Sequence, residues 1–373
     1  MWTARTSKGI VHQGARQLYL SDRGIREALK QGILKFTPEL EDSQIQPISV
    51  DLRVHGTEDV GHLEDFRFSE WERFYDDLLI PPFSNVTLSA SQGIEWMRPL
   101  MFQAELRSSL RRLGCYTPNG RAAPCFGGRT EVEFNNFGPF EILLREGDKF
   151  AQLLFSFYER EHSENSPGVY SFHGDQDQYD KLAALDHGHF VVDSIEARLL
   201  HADGYFSVGK QTTFDGPCVV VHAGRTARLM RKRKEIDFAG KTDFSDIIEK
   251  VDLPYLLLPG EHIVVDVEDL ELSPYVGIHF NEMLFEFGRS PRRDSDSVLW
   301  SHFDGLVDPG YKGAFSRQPK TFYNQGIMIE PGMVLGHGKI IYFPNSVERP
   351  YGSKGLESHY QNADGMKFLQ NGK

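Results

Sequence analysis

Leu78-Leu79-Ile80-Pro81-Pro82, Val86-Thr87-Leu88, Gly93-Ile94-Glu95-Trp96 and Leu100-Met101-Phe102-Gln103-Ala104-Glu105-Leu106 follow one another between positions 78 and 106. Each apolar run is short, and Pro, Asn or Gly closes it before a helical period can develop. That grammar predicts short strands and tight turns, an all-β barrel or sandwich. Upstream, Gln46-Pro47-Ile48-Ser49-Val50-Asp51-Leu52-Arg53-Val54 alternates apolar and polar residues, the mark of a half-buried strand. Asp51 and Arg53 then share a polar face, where a cross-strand salt bridge is at least as good a reading as a role at a substrate. Residues 55–77 read as an irregular excursion. Residues 18–34 read as a helix with Ser21 or Asp22 as N-cap and Gly32 as its end. Downstream, Ile142–Lys149 and Ala151–Phe157 continue the strand pattern.

The second half of the chain repeats this grammar. Leu256-Leu257-Leu258-Pro259-Gly260 echoes Leu78–Pro82, and Leu270–Phe280 echoes Ile94–Ala104. Ile327–Met333 echoes Ile142–Lys149, and Lys339–Phe343 echoes Gln152–Phe157. The separation, close to half the chain, predicts two related β domains in tandem, 1–180 and 181–373. Their joint falls in 165–205, where apolar periodicity gives way to Asn165, Ser166, Pro167, Gly168 and a run of Asp, Gln and His.

With 373 residues, 40% hydrophobic and 25% charged, the chain has the composition of a soluble globular protein with a substantial core. Its longest apolar runs are too short to cross a bilayer. The N-terminal Met1–Lys8 lacks an apolar signal segment, and the three cysteines form no CxxC pair, which fits a reduced, cytoplasmic setting. A net charge of −12 argues against a broad nucleic-acid surface. The one basic run, Arg225–Lys234, reads as a solvated helix face or a contact to an acidic partner subunit, with polyanion binding the lesser option.

Chemistry concentrates between Arg107 and Phe134. Arg107-Ser108-Ser109-Leu110-Arg111-Arg112-Leu113-Gly114 gathers guanidinium and hydroxyl donors, which suit a phosphate. Glu131-Val132-Glu133-Phe134-Asn135-Asn136 sets a carboxylate between two apolar residues that, in a strand, point the other way. Phosphate donors shortly before an isolated strand carboxylate suggest a nucleotide site with a general base. The structural alternative for Glu133 is an ion pair with Arg129.

In these motifs, in the 46–53 strand and in Ser21-Asp22-Arg23, the chain resembles deoxycytidine triphosphate deaminase, a family that shares its β fold with the trimeric deoxyuridine triphosphatases. The resemblance covers the first half nearly end to end. In the second half it rests on Val307-Asp308-Pro309-Gly310-Tyr311-Lys312-Gly313, the Pro331-Gly332-Met333 turn and the tail Arg349–Tyr360. It implies a mainly β fold of two tandem dUTPase-like β-barrel (β-clip) domains with a few short helices, and hydrolytic deamination of dCTP to dUTP and ammonia. Glu133 would be the general base, its pKa moved toward neutrality by an apolar surround that Val132 and Phe134 could help supply. Ser108 and Arg112 would orient base and water. Arg107 and Ser109 would hold the phosphates, with Arg111 and Val132 also in the site. The resemblance further implies Mg²⁺ carried on the substrate triphosphate, no zinc, and a homo-oligomer, guessed to be a trimer. The zinc deaminases' Pro-Cys-x-x-Cys is absent, since Pro124-Cys125 leads into Phe126-Gly127-Gly128. His201, His279 and His302 lack partners at ligand spacing and read as surface or satisfied-core residues.

Two departures stand out. The family's sugar-binding Asp-Pro-Gly turn lies ten residues before its catalytic glutamate, yet Ala123 stands ten before Glu133. The turn survives in the second half as Asp308-Pro309-Gly310-Tyr311, where Gln318 replaces the glutamate and no Arg-Ser-Ser-Leu follows the pattern. Either the second half is a degenerate buttress, or the sites are composite and a neighbouring domain supplies Asp308, Tyr311 or Tyr351. The first explanation is favoured, because a distant Asp308 would have to replace a residue of Glu133's own hairpin. Asp308-Pro309-Gly310 is also a good turn on chemistry alone. Tyr351 and the glycine-containing tail read as a disordered end or as a lid over nucleotide, with His359 where the family has lysine. The competing functions are a dUTP pyrophosphatase, a bifunctional enzyme continuing to dUMP, and a non-catalytic nucleotide-binding scaffold.

Overall fold

The structure is a computed structural model that describes residues 17–61, 77–97, 100–118, 120–122, 126–158, 176–210, 212–230, 236–237, 248–267, 269–280, 283–287, 297–301, 305–321, 326–356, 358 and 361–362. It is mainly β with a few short helices, as expected. The expectations placed on Ala123–Cys125, Asn165–Gly168, His302 and His359 lie outside the described residues.

The sheet that positions the site is built by alternation. Strand Lys149–Tyr158 pairs antiparallel with Val50–Gly61 on one side and with Met101–Leu106 on the other. The registers set Asp51, Gln152 and Glu105 opposite one another, so a polar row crosses three neighbouring strands. Cross-strand partners share a face and neighbours along a strand do not. Accordingly Leu52, Ala151, Ala104 and Leu106 enter the first half's apolar core. Ser84–Met97 pairs with Gly128–Asn136, with Thr87 opposite Glu133, and Val132 and Phe134 fall on the core side. The Asn135-Asn136 end of that strand is pinned by Asn136, whose amide donates to the carbonyls of Ile80, Pro81 and Phe140.

The expected joint between the halves contains a strand. His187–Phe190 lies between Gln17–Leu20 of the first half and Val334–Tyr342 of the second, and joins them in one sheet. Ile236–Asp237 adds a parallel edge to Ile142–Arg145, and Arg145 forms an ion pair with Asp237. The first half's core also takes in Met230, Ile236 and Val264 from the second. A separate cluster around Val219, Leu272, Ile278, Phe280 and Ile340 serves the second half.

The echo between the halves is visible in the pairing. Asp77–Ile80 pairs with Ile142–Arg145, and Tyr255–Leu257 pairs with Ile327–Ile329. Burial shifts the correspondence by one residue. Leu79 is exposed between buried Leu78 and Ile80, and its counterpart is exposed Leu256 beside buried Leu257.

Several local readings change. Residues 17–20 are strand, and the helix is Asp22–Lys30, capped by Ser21, whose hydroxyl accepts from the Gly24 N–H. Gln46–Ser49 precede the ladder, which begins at Val50 and runs through the supposed excursion as far as Gly61. Val86–Leu88 and Gly93–Trp96 belong to a single strand, Ser84–Met97, because a bulge between Ser89 and Gly93 absorbs the punctuation. The described part of the basic run is strand Cys218–Met230, not helix, and Arg228 there pairs with Asp266.

Gly24 is a place where two effects oppose. Alanine in a helix is favoured over glycine by roughly 1 kcal/mol, but a Cβ here would lie 2.1 Å from the Asp186 carbonyl oxygen. Overpacking against backbone costs about 1–3 kcal/mol, so Gly24→Ala is expected to lower stability. Urea unfolding midpoints of the two chains check this.

Candidate active site at the seam between the halves

Strand Met101–Leu106 leads into Arg107, which takes an extended conformation and opens the short helix Ser108–Arg112. Leu110 and Leu113 anchor the helix in the core. That fixes the directions of the remaining side chains. Ser108 is exposed, Arg107 half-buried, and Ser109, Arg111 and Arg112 are buried.

The two arginines nearest the helix start meet the polar row of the sheet. Arg107 Nη1 lies 2.5 Å from Asp51 Oδ2, and Lys149 Nζ lies 3.4 Å from the same oxygen. Asp51 is thus in the cross-strand salt bridge that its structural reading expected, with Lys149 of the neighbouring strand, and Arg107 joins it. Arg53 pairs with Glu41 instead. Arg111 Nη2 sits 3.4 Å from Glu105 Oε2, and the Gln152 amide donates to that oxygen. Glu105 is 1% exposed. Burial alone would raise its pKa, but His279 and then Arg111 overcome that and hold the carboxyl down at about 2.

The second half closes over this row. His279, from strand Val276–Phe280, places Nε2 2.5 Å from Glu105 Oε1. His262 Nε2 lies 2.8 Å from the Arg112 carbonyl oxygen. Both histidines are buried, so the satisfied-core reading of His279 stands, with its partner in the other half. Asp22 accepts from the backbone N–H groups of Glu348 and Arg349, and the Arg349 side chain reaches Asp42 and the Ile45 carbonyl.

Asp308 arrives at the same seam. Gly310, at φ +88°, allows the turn, and the Tyr311 N–H donates to the Asp308 carbonyl. The space beside Gly277, where a Cβ would stand, is closed by Pro309, the Val307 carbonyl and Ile48 of the first half. The Asp308 residue is half-exposed, but its Oδ1 is enclosed and has no hydrogen-bond partner among the described residues. Burial pushes its carboxyl up to about 7. The negative charge of Asp51 adds to the rise, and Arg107 opposes it. An enclosed carboxylate oxygen without a donor, beside a guanidinium, is poised to accept from a hydroxyl.

Tyr311 is buried and its hydroxyl donates to the Ala314 carbonyl. Its ring lies 5.5 Å from that of Tyr351, whose N–H donates to the Pro309 carbonyl. The start of the tail therefore folds onto the Asp308–Tyr311 turn and ties it to the first half through Arg349. Gln318 is buried.

Glu133 is exposed on the outer face of its strand. Val132 and Phe134 lie in the core on the opposite face, so they do not supply the apolar surround expected of them. Strand alternation sends neighbours to opposite sides. The seam contacts described above bring Arg107, Arg111 and Asp308 together, but they do not reach Glu133. The sequence reading missed Glu105, His262, Lys149 and Gln152. A signal existed for Glu105 and His279: each is an ionisable residue inside a mostly apolar strand whose two faces are both covered.

The Asp308 carboxyl makes a test of this geometry. Its pKa is raised from 3.8 to about 7, so the folded chain binds the extra proton between those values. Stability from this group is therefore lost as pH rises through that window. Asp308→Asn escapes that loss. The Tm advantage of Asp308→Asn over the parent is expected to grow from about pH 4 to about pH 7 and then level. A difference that stays flat across that range in scanning calorimetry counts against the placement.

Residues 19–158 match the dCTP deaminase-like family. A "dCTP deaminase, dUMP-forming" of Sulfurihydrogenibium sp. is 31% identical over 166 residues, covering 41% of this chain and 91% of that protein. A dCTP deaminase of Ignicoccus hospitalis is 30% identical over 152 residues, covering 37% and 82%. The crystal structure of 2′-deoxycytidine 5′-triphosphate deaminase from Agrobacterium tumefaciens superposes with a TM-score of 0.66 at 15% identity, covering 89% of this chain and all of that one. At that identity the likeness shows the fold, and it extends through both halves.

Proposed function

The chain belongs to the dCTP deaminase family, and from that premise we propose that it hydrolyses dCTP at C4 to dUTP and ammonia. The observation that carries this reading is the Arg107–Arg112 segment, held by buried ion pairs and followed by an exposed strand carboxylate at Glu133. In the proposed reaction, water adds to C4 and Glu133 takes its proton. One water proton passes by way of Glu133 to the exocyclic amine and the other ends on N3, so the C4 carbonyl forms as the C4–N bond breaks and ammonia leaves. Ser108, exposed at the helix start, and Arg112 orient the water and the base. Arg107, Ser109 and Arg111 bind the anionic end of the substrate. Mg²⁺ would enter on the triphosphate and neutralise phosphate oxygens, and the cationic groups at the seam suit the remaining ones. No catalytic zinc is invoked.

The seam position of Asp308 supports a composite site. Asp308 would accept the sugar hydroxyl from the second half while Arg107 faces it from the first, in place of a contact from position 123. Tyr311, Tyr351 and the backbone at Val132 complete the proposed substrate contacts, and the tail acts as a lid anchored at Arg349. Glu133 and Ser108 both remain exposed in the single chain. A cytoplasmic homo-oligomer, a trimer by family resemblance, would bring Glu133 of one copy to the Arg107–Arg112 segment of another.

A second reading is that the enzyme continues to dUMP, since several relatives carry the name "dCTP deaminase, dUMP-forming". Incubation with dCTP and Mg²⁺, followed by chromatography of the nucleotides, separates the outcomes. dUTP supports the first reading, dUMP with pyrophosphate the second, and unchanged dCTP a non-catalytic binder.

Glu133→Gln is expected to lower kcat by about 100-fold or more while dCTP binding persists; full activity in that variant ends the proposed mechanism. Mixing Glu133→Gln chains with Ser108→Ala chains is expected to restore part of the activity if the two residues act from different copies. No recovery after subunit exchange would place them in one chain.

A further inference from the structure

The Ser108–Arg112 helix has five residues, well short of the length at which a helix is stable by itself. Its position is imposed from outside, and two of the groups that impose it come from the second half. His262 is 2% exposed, with Nε2 2.8 Å from the Arg112 carbonyl oxygen. A carbonyl only accepts, so this nitrogen carries the proton and donates. It holds the exit of the segment. At the entry, His279 Nε2 lies 2.5 Å from Glu105 Oε1, and the other oxygen of that carboxylate faces Arg111 at 3.4 Å. Neither histidine belongs to the Arg-Ser-Ser-Leu motif.

We infer that His262 and His279 of the second half are positioning residues for the nucleotide-binding segment of the first. They fix where its guanidinium groups stand without touching the substrate. The inference rests on the proposed nucleotide chemistry and adds to it: the second half sets substrate affinity in cis, through the segment's two ends.

The physical reason is competition for cations. Glu105 is fully enclosed, and His279 is its closest charged or polar partner. Without His279, a buried carboxylate is left under-compensated. It regains a partner most readily by drawing in Arg111, whose present contact is long. A guanidinium committed to Glu105 is then withdrawn from the phosphates. The loss should fall on binding and much less on the chemical step, because Glu133 lies outside this network.

The test is calorimetric binding of dCTP with Mg²⁺, alongside steady-state kinetics, on the full chain. His279→Leu is expected to raise Kd and KM about tenfold and to change kcat less than about threefold. His279→Gln, whose amide can still donate to Glu105, should restore most of the affinity. The double variant His279→Leu/Glu105→Gln, which removes the stranded charge, should recover it too and guards against a single variant that does not fold. His262→Phe should raise Kd as well and, because its partner is Arg112, should also lower kcat. An unchanged Kd in folded His279→Leu overturns the inference. So does a fall in kcat at constant KM, or a loss that neither His279→Gln nor the double variant repairs. If the parent chain binds dCTP but releases no ammonia, the deaminase reading fails while the Kd comparison still decides the positioning role.

Discussion

A carboxylate with almost no access to water is costly unless its charge is met where it stands. Glu105 is such a group, and the structure around it is arranged to meet that charge. Arg111 approaches from the helix that follows, Gln152 from the neighbouring strand, and His279 from the other half of the chain. Its carboxyl is held at about 2 in spite of burial. The consequence is mutual. The first half has a compensated polar row only when the second half is docked, and the second half's strand Val276–Phe280 can bury a histidine only because Glu105 waits for it.

The row of Asp51, Gln152 and Glu105 extends this dependence over three strands. Asp51 meets Arg107 and Lys149, Glu105 meets Arg111 and His279, and Gln152 donates its amide to Glu105, so the guanidinium groups of Arg107 and Arg111 are held in place by the fold itself. Preorganisation of this kind lowers the cost of ordering side chains on binding. Asp308, from the second half, is left unbalanced near that row. Its enclosed oxygen has no hydrogen-bond partner among the described residues, and its carboxyl is pushed up to about 7. Perturbed carboxyls of this kind cluster at functional sites.

The second half contributes directly to the seam. It supplies the turn that carries Asp308, His262 at the carbonyl that ends the motif helix, His279 at Glu105 in the preceding strand, and the tail whose Arg349 and backbone reach Asp42, Ile45 and Asp22. It also lends apolar side chains to the first core and an edge strand beside Ile142–Arg145. Duplication followed by loss of separate residues in each half would leave this pattern, with each half keeping what the other lacks.

The sequence by itself determined the strand grammar, the internal echo, a helix within 18–34 with Ser21 or Asp22 as its cap, and the motifs at 107–112, 131–136 and 308–311. These are local patterns, written in alternation, capping and turn chemistry, and they survive whatever the chain packs against. It misjudged lengths where a bulge fused two runs into Ser84–Met97 and where the Val50–Gly61 ladder continued into charged residues, because pairing partners decide where a strand ends. Only the tertiary structure decided that His187–Phe190 joins the halves in one sheet, that His262 and His279 serve the other half, and that Asp308 lies beside Arg107 and not in the hairpin of Glu133. Those outcomes depend on contacts between residues far apart in the chain. A histidine in an apolar strand looks the same in sequence whether its partner is water, a metal or Glu105; the docking of the second half onto a buried charge selects among them.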